Sequence, residues 1–317
     1  MRLFPRARRA GIILAGYNEG ENLLKTVESC LETTEGVDCE IVIANDASTD
    51  GSVEAVLRRH PDVRVVSHRT RRGTSATKDL GGRRSRGEVL LFIDAHCKPE
   101  PSAVEILIND VEESGGDAIF TPRVPALDCE RWENSPTQIG HGYSMRLDVF
   151  ECSWIGLEAM QRRGRYYECP ALIGCCVAMS RRLYEKLWGF DRHMIDWGVE
   201  DIDAGLKAWL MGHPILHDPY ASIGHRFRMT FDTFSVTSEG VLVNQLRMAR
   251  KNFTESTWNR WVEVTRGSQP PELWSKTWTL FCRGQRSLER ERAYLQAHRV
   301  RDEIWYARRF GLDWPPS

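Results

Sequence analysis

Short apolar runs alternate with helical stretches through the first half of the chain, and this alternation limits the fold more than any other feature of the sequence. The apolar runs cover residues 11–15, 40–44, 63–67, 88–93 and 117–120, and the helical stretches between them cover residues 21–32, 51–59, 75–84 and 102–113. Strands that alternate with helices form βαβ units, whose strands run parallel in one sheet. The sequence therefore predicts an α/β fold with a mostly parallel central sheet.

The second half of the chain changes character twice. From residue 122 to residue 170 the periodicity fades, which predicts a long irregular crossing over the sheet edge. Regular signals return with a strand at 177–179, helices at 180–188 and 198–211, and a strand at 215–217. From residue 238 the sequence looks helical and carries six of the eleven tryptophans, with its clearest break at 267–271. We expect a first domain over 1–237 and a helical extension over 238–317, which packs back on that domain or forms a homo-oligomer interface.

Composition and charge exclude several classes of protein. A formal net charge of -1 over 317 residues gives no general attraction to nucleic acid or to an acidic membrane face. The nine cysteines show no C-x-x-C spacing, so neither a zinc cluster nor a disulfide framework is indicated. No apolar run reaches the roughly 18 residues of a membrane span. We expect a cytoplasmic protein with no transmembrane segment and no nucleic-acid partner.

Polar loops follow three of the predicted strands, at residues 16–19, 45–51 and 94–96. Ligands of parallel α/β sheets bind at the carboxyl ends of the strands, so these loops are candidates for a binding site. Taken one at a time, each loop is explained at least as well by helix capping, because Asn, Asp, Ser and Thr are the preferred N-cap residues. Their shared position on one sheet edge favours a site.

Asp94 and His96 stand one residue apart after a buried strand, where both side chains can face one ion. A carboxylate with an imidazole suits Mn²⁺ or a similar ion better than Ca²⁺, although the triplet alone fits a capping Asp beside a surface His equally well. His225 is a candidate third ligand, and Arg226 or Arg228 is a candidate for binding phosphate oxygens. The alternative for this stretch is a loop histidine with solvated arginines.

Four carboxylates crowd the start of the predicted helix at 198–211, namely Asp196, Glu200, Asp201 and Asp203. The helix dipole favours acidic residues in a first turn, and that is a sufficient structural explanation. A carboxylate in a cleft beside a leaving group is also what a general base requires. The arginine-rich stretch 69–86 is interpreted mainly as a solvated helix face. One or two of its basic side chains are candidates for contact with a diphosphate.

Together these segments resemble the family-2 group of GT-A glycosyltransferases, and within it the polypeptide N-acetylgalactosaminyltransferases. The resemblance runs from about residue 12 to residue 228. Its motifs are I-L-A-G-Y-N-E at 13–19, I-V-I-A-N-D-A-S-T-D-G at 41–51, D-A-H at 94–96, G-F-D at 189–191, W-G-V-E-D at 197–201 and G-H-R-F-R at 224–228. Most family-2 enzymes have D-x-D where this chain has D-x-H, so that triplet points to the N-acetylgalactosaminyltransferases.

The resemblance implies a Rossmann-like GT-A fold, with residues 1–237 as the catalytic domain and a UDP-sugar as the donor. It implies that Asp94, His96 and His225 bind Mn²⁺ or Mg²⁺. The donor-binding residues expected from it are Tyr17, Asn18, Glu19, Asp46, Arg72, Lys78, Gly174, Trp197 and Arg228.

Asp201 departs from that subgroup, which has Asn at the corresponding position. The Glu200-Asp201 pair is typical of inverting enzymes such as the β-1,4-galactosyltransferases. In an inverting reaction Asp201, or less readily Glu200, takes the proton of an acceptor hydroxyl or thiol. In a retaining reaction Glu200 orients the sugar and the leaving phosphate takes that proton. The sequence slightly favours inversion.

The expected function is metal-dependent transfer of a sugar from a UDP-sugar to a peptide, protein or small-glycan acceptor. The nearest alternative is a cytoplasmic transferase that extends a glycan or a lipid-linked sugar. A non-catalytic sugar-binding module is weaker, because the expected site residues are all present. A nucleotidyltransferase would need a Gly-rich phosphate loop, which residues 16–19 do not supply. The sequence lacks the subgroup's membrane anchor and lectin domain, which suggests a bacterial-style soluble enzyme.

Overall fold

The computed structural model describes residues 7–228 and 235–314. Its strands are β1 Arg8–Gly16, β2 Cys39–Asn45, β3 Arg64–Ser67, β4 Gly87–Asp94, β5 Cys97–Pro99, β6 Ile119–Asp128, β7 Glu133–Gly140, β8 Gly142–Arg146, β9 Glu151–Ile155, β10 Gln161–Arg163, β11 Tyr166–Glu168, β12 Cys176–Ser180 and β13 Ile215–His225. Its helices are α1 Glu21–Thr33, α2 Ser52–Arg59, α3 Thr74–Arg84, α4 Ala103–Glu113, α5 Arg181–Lys186, α6 Glu200–Leu210, α7 Ser238–Asn252, α8 Glu255–Ser268, α9 Pro271–Arg283, α10 Gln285–His298 and α11 Glu303–Phe310, with a 3₁₀ turn at Leu157–Ala159.

A central sheet runs in the order β10-β11-β13-β6-β12-β4-β1-β2-β3, with β5 paired to β13 and β7 paired to β6. The neighbours of β1 on both sides, β2 and β4, are parallel to it. The strand order reverses between β1 and β4, and such a reversal opens a crevice at the carboxyl ends of the strands. In this crevice Ala15 of β1 lies opposite Asp94 of β4. The mostly parallel α/β core predicted from the sequence is confirmed.

The two faces of the sheet pack against different helices. On β1, Ile12 and Leu14 face one side and Ile13 faces the other, and all three are fully buried. Helices α1 and α4 cover the first face, while α3, α5 and α6 cover the second. A strand buried on both faces is apolar along its whole length, which is why β1 and β4 were recognisable from the sequence.

The prediction of an irregular crossing at residues 122–170 is wrong, because this part of the chain is rich in strands. Strand β6 continues to Asp128, and β8 and β9 form an antiparallel hairpin. Two prolines inside β6, Pro122 and Pro125, resemble strand breakers. Strand β7 is largely exposed, so it lacks the apolar alternation that marks a half-buried strand.

Strand β13 is longer than the sequence indicated. The prediction ended this strand at residue 217, whereas the structure extends it to His225, with an irregularity between Asp218 and Ser222. Pro219 and Tyr220 lie in that irregularity and interrupt the apolar pattern. His225 is therefore the last residue of a strand in the central sheet, which limits where its ring can lie.

The C-terminal helices pack against α6 through buried ion pairs. Lys251 of α7 lies 2.9 Å from Asp191 and 2.8 Å from Asp203, and Arg247 lies 2.9 Å from Asp191. All four side chains are almost fully buried, and buried charges require such pairing. Helix α8 ends at Ser268 and α9 begins at Pro271, where the sequence had its clearest break. The domain boundary at residue 237 stays a prediction.

Across residues 7–228 and 235–314, the helices are all too short or too polar to span a bilayer.

Asp110 and Asp218 form a buried pair of carboxyl groups between α4 and β13. Burial, followed by the charge of Asp218, raises the pKa of Asp110 to about 7, while Arg165 and the Tyr166 hydroxyl partly oppose the shift. The folded state therefore holds a proton on Asp110 that the unfolded chain releases near pH 4. This contribution to stability is present at low pH and is lost as the pH rises from about 4 to about 7.

We expect Asp110→Asn to flatten this pH dependence, because the amide carries no proton to lose. Relative to the wild type, the variant should gain at least about 1 kcal/mol in the free energy of unfolding between pH 5 and pH 8, the equivalent of one pKa unit. Urea denaturation followed by tryptophan fluorescence at the two pH values measures this. Parallel pH dependences of the two proteins would show that Asp110 ionises normally.

Candidate active site

Three side chains expected to bind a metal ion meet at the carboxyl edge of the sheet. Asp94 ends β4, His96 follows two residues later, and His225 ends β13. The Nε2 atoms of His96 and His225 are 3.2 Å apart, and His225 Nε2 is 3.6 Å from Asp94 Oδ2. One donor atom from each of the three lies within 4.8 Å of the others. The structure thus brings together residues that are up to 131 positions apart in the chain.

This geometry fits a divalent transition metal. Two nitrogens bound at about 2.1 Å in adjacent positions around one ion lie about 3 Å apart, close to the separation of the two histidine Nε2 atoms. One carboxylate with two imidazoles is a donor set for ions such as Mn²⁺ or Zn²⁺ rather than Ca²⁺. The residues present therefore fit the kind of ion that the sequence predicted.

The pKa values of Asp94 and His225 are shifted in the directions that suit metal binding, which requires an ionised carboxylate and neutral imidazoles. Burial alone would raise the pKa of Asp94, but Lys78, His225 and His96 outweigh it and lower the pKa. Burial lowers the pKa of His225. The contact with Asp94 opposes this shift but does not reverse it. Both shifts favour the forms that bind a cation, namely the ionised carboxylate of Asp94 and the neutral imidazole of His225.

The short strand β5 places His96 beside His225. Cys97 of β5 lies opposite His225 of β13, and the backbone nitrogen of Arg226 donates to the His96 carbonyl at 3.2 Å. The chain turns at Ala95 after β4, and β5 then pairs with the end of β13. This pairing places the His96 ring in the cluster. This pairing between residues far apart in sequence was not visible in the sequence.

The four carboxylates around the start of α6 have different partners. Asp196 pairs with Arg71 at 3.4 Å, Glu200 with Lys78 at 3.2 Å, and Asp203 with Lys251 at 2.8 Å. Asp201 alone has no ion pair within the part of the chain that the structure describes, and its Oδ1 accepts a hydrogen bond from the Ile202 backbone nitrogen at 2.8 Å. The different partners of the four carboxylates therefore explain their positions better than a shared interaction with the helix dipole does.

Asp201 lines the cavity and has the properties of a proton acceptor. Burial, and next the negative charge of Glu200, raise its pKa to about 7, although Lys78 opposes the shift. A base whose pKa lies near the working pH is the most effective general base. A Cβ atom built on Gly174 would approach Asp201 Oδ2 to 2.7 Å, so the glycine leaves the room that this carboxylate occupies.

Lys78 is a buried charge at the centre of the site. Its Nζ donates to the Gly174 carbonyl at 2.9 Å and lies 3.2 Å from Glu200 and 3.5 Å from Asp94. Burial would lower the pKa of Lys78, but the charges of Asp94 and Glu200 outweigh it and raise the pKa. Lys78 lines the cavity, and its charge is compensated by protein carboxylates.

The loops expected to hold the donor line the same cavity only in part. Tyr17, Glu19 and Asp46 line it, but Asn18 does not, because its Oδ1 accepts from the Thr49 backbone nitrogen at 2.8 Å. Asn18 therefore joins the first two loops to each other. This contact was not predicted, since contacts between loops depend on how the strands are ordered in the sheet.

The arginine stretch contributes Arg71 to the cavity instead of the expected Arg72. The guanidinium of Arg71 lies over the Tyr17 ring, 5.2 Å from its centroid. Arg72 instead supplies its backbone nitrogen to Asp46 Oδ1 at 2.7 Å, and Gly73 supplies its own to Oδ2 at 2.9 Å. The carboxylate of Asp46 is thus held in place by two backbone donors.

The cavity has a volume of about 780 Å³, which is large enough for a nucleotide-sugar with part of an acceptor. Four aromatic side chains besides Tyr17 line the cavity, and they are Tyr143, Phe150, Trp197 and Phe227. Trp197 and Phe227 are 42% and 44% exposed, so both remain accessible at the cavity mouth. Gly174 and Arg228, two other expected donor residues, also line the cavity.

Sequence comparison identifies the family. The model of "Glycosyl transferase family 2" matches residues 11–188, more than half of the chain. The chain belongs to this family. A second family model, described as "N-terminal domain of galactosyltransferase", matches residues 157–230, a segment that includes α6 and His225. The two matches together span the strands and loops that form the cavity.

Similar proteins support the same assignment. Mouse (Mus musculus) polypeptide N-acetylgalactosaminyltransferase 6 is 29% identical over 260 residues, which are 77% of this chain and 42% of the relative. Human (Homo sapiens) polypeptide N-acetylgalactosaminyltransferase 15 is 27% identical over 281 residues, or 84% of this chain and 42% of the relative. The matched part is thus less than half the length of these relatives.

Solved structures share the fold. A crystal structure of GalNAc-T7 with UDP, GalNAc and Mn²⁺ has a TM-score of 0.74 at 18% identity, over 96% of this chain and 57% of that one. The mannosyltransferase PcManGT from Pyrobaculum calidifontis, with GDP-Man and Mn²⁺, has a TM-score of 0.51 at 18% identity, over 92% and 86% of the two chains. The predicted GT-A fold is confirmed.

Asn244, on α7, contributes to the site of this family-2 protein and was missed in the sequence. It is 1% exposed, and its Oδ1 accepts from the Ile195 backbone nitrogen at 2.7 Å. Its Nδ2 donates to the carbonyls of Ile195 at 2.8 Å, Trp197 at 3.2 Å and Gly198 at 3.2 Å. A helix of the C-terminal extension thus holds the segment that leads into Glu200 and Asp201.

We expect Gly174→Ala to reduce any turnover in this site much more than it reduces stability. The added methyl group overlaps Asp201 Oδ2 and must displace that carboxylate. A displacement of about 1 Å costs about 100-fold in rate. Rate assays and thermal melts of the variant measure the two effects. Gly267→Ala in α8 is the matched control, because an added Cβ there meets nothing within 4 Å. Equal rates for the two variants would contradict this prediction.

Proposed function

We propose that this protein transfers a sugar from a UDP-sugar donor to a hydroxyl or thiol acceptor, with a divalent metal ion held by Asp94, His96 and His225. The observation that carries the proposal is the meeting of these three donors beside a base with a raised pKa in one cavity. Mn²⁺ is the preferred ion and Mg²⁺ the alternative. Bound there, the ion would neutralise the charge that develops on the leaving diphosphate.

The nucleotide end of the donor belongs on the β1 side of the cavity. Tyr17 and Arg71 offer a flat surface and a positive charge there, Glu19 lies in the same loop as Tyr17, and Asp46 lies in the loop after β2. Arg228 lines the cavity next to His225, which suits it to the diphosphate region. Of these, only Arg71 was absent from the set expected from the sequence.

Asp201 is the proposed general base of an inverting reaction. Glu200 is held by Lys78 and by burial, whereas the carboxylate of Asp201 faces the cavity without an ion pair among the described residues. Asp201 would remove the proton of the acceptor as that group attacks the sugar carbon opposite the leaving diphosphate. If the reaction instead retains the anomeric configuration, Glu200 orients the sugar.

The acceptor is proposed to bind at the aromatic mouth of the cavity. Tyr143, Phe150, Trp197 and Phe227 offer apolar ring faces that suit either a peptide side chain or the face of a sugar ring. Peptide, protein and small-glycan acceptors all fit this chemistry. A transferase that extends a glycan or a lipid-linked sugar is the competing function.

The test is turnover of the purified protein with Mn²⁺ and a panel of UDP-sugars and GDP-sugars. Slow hydrolysis that requires both Mn²⁺ and one UDP-sugar is expected, and peptide or glycan acceptors that accelerate UDP release distinguish the acceptor classes. Sugar binding without release of UDP would indicate a non-catalytic module. A preference for GDP-sugars would contradict the proposed donor.

A further inference from the structure

Glu19, in the loop after β1, contacts the ring of His96. Its side chain is 9% exposed, and its Oε2 lies 3.0 Å from Nδ1 of His96. Nε2 on the opposite side of the same ring is the atom that faces His225 at 3.2 Å. Glu19 and the metal cluster therefore contact opposite nitrogens of one imidazole.

A carboxylate on Nδ1 determines which nitrogen of His96 carries the proton. The carboxylate of Glu19 is paired with the Arg228 guanidinium, and an ionised carboxylate can only accept hydrogen bonds. Nδ1 must then donate, which leaves the lone pair of the neutral ring on Nε2. Only a nitrogen with a free lone pair can bind a metal ion.

Arg228 is a competing partner of His96 Nδ1. Its Nη2 lies 3.2 Å from His96 Nδ1 and is in closer contact with Glu19 Oε2. The shorter contact joins opposite charges, so this N–H of Arg228 serves the carboxylate. Arg228 thereby stabilises the ionised form of Glu19.

We propose that Glu19 is a positioning residue: it orients the His96 ring so that the Nε2 lone pair points to the metal position between His96, Asp94 and His225. A carboxylate that accepts a hydrogen bond from the second nitrogen of a metal-binding imidazole usually raises the metal affinity by about 10- to 100-fold. The inference rests on the proposed function in one respect, namely that Nε2 of His96 binds a divalent ion.

The local backbone is built to allow this contact. A Cβ on Gly16 would lie 3.1 Å from Glu19 Cγ and 2.8 Å from Ala95 Cβ. Gly16 therefore lets the β1 loop lie close against the residue that precedes His96. The glutamate reaches the ring because of this close approach between the ends of two adjacent parallel strands.

The first test is Mn²⁺ affinity measured by isothermal titration calorimetry without any donor sugar. We expect Glu19→Ala to weaken binding about 10- to 100-fold, and Glu19→Gln to weaken it less, because the amide oxygen can still accept from Nδ1. Glu54→Ala, at an exposed position of α2, is the matched control and should bind like the wild type. Wild-type affinity in Glu19→Ala would overturn the proposal.

The second test is the tautomer of His96 in the metal-free protein, observed by long-range ¹H–¹⁵N NMR of labelled histidine and assigned by its loss in His96→Ala. We expect a proton on Nδ1 in the wild type and in Glu19→Gln. A proton on Nε2 in the wild type would overturn the proposal. Wild-type protein that shows the Nδ1 tautomer but binds no Mn²⁺ would refute the metal site while leaving the orientation by Glu19 supported.

Discussion

Replacing His225 by alanine is expected to abolish metal-dependent turnover and leave the fold intact. His225 supplies one of three ligands, and its ring is buried at the end of β13, where no other described imidazole besides His96 is within reach. Loss of the ion removes several kcal/mol of transition-state stabilisation, which corresponds to a rate decrease of about 1,000-fold or more. Hydrolysis of the UDP-sugar and calorimetric titration with Mn²⁺ measure the two losses.

His298→Ala is the matched control for this variant. His298 lies at the exposed end of α10, where its Nδ1 is 2.8 Å from the Tyr294 carbonyl of the same helix. Both variants should melt cooperatively at similar temperatures. Wild-type turnover in His225→Ala would remove His225 from the metal site, and the proposed mechanism would lose its third ligand.

Replacing Asp201 by asparagine is expected to lower turnover by about 100- to 10,000-fold, the usual contribution of a general base. Asparagine has nearly the same shape, and its carbonyl can still accept from the Ile202 backbone nitrogen, so the start of α6 should not move. Mn²⁺ and UDP should therefore bind to the variant as they bind to the wild type. The measurement is transfer to an acceptor, with UDP binding as the control.

The pH dependence gives a second observable for Asp201. Its pKa is raised to about 7, so the carboxyl is protonated and inactive as a base at lower pH. We expect wild-type kcat/KM to rise with pH up to about 7 and then level off, and the residual activity of Asp201→Asn to lack this rise. An Asp201→Asn variant with near-normal rates, or a product that retains the anomeric configuration of the donor, would shift the mechanism to the retaining course.

The parts of the site that the sequence revealed are those carried by short local patterns. Asp94 and His96 follow one buried strand, and Glu200 and Asp201 open one helix, so a few adjacent residues suffice to locate each pair. His225 was identified through its motif, not through its strand. The set of donor residues stays a prediction, and two of its members, Asn18 and Arg72, lie in the expected loops but outside the cavity lining, where they make contacts within the protein.

The parts that the sequence did not reveal depend on contacts between distant residues. Asn244 is a single polar residue in an amphipathic helix, and its four backbone partners lie about 50 positions earlier. The strands between residues 122 and 170 were missed because they are short, partly exposed and interrupted by prolines. Strands β6 and β11 pair with β13, β7 pairs with β6, β10 pairs with β11, and β8 pairs with β9, and no local propensity signals such pairing.

Apolar periodicity by itself determined the α/β core, and the polar residues after β1, β2 and β4 determined that a site lies at the carboxyl edge of the sheet. Both conclusions need only the regular geometry of strands and helices. Tertiary structure alone decided that His96 and His225 face each other, that Glu19 contacts His96, and that Asp201 faces the cavity while its acidic neighbours are paired. These outcomes depend on distances of a few ångströms between residues that are 48 to 129 positions apart, which only the packed chain specifies.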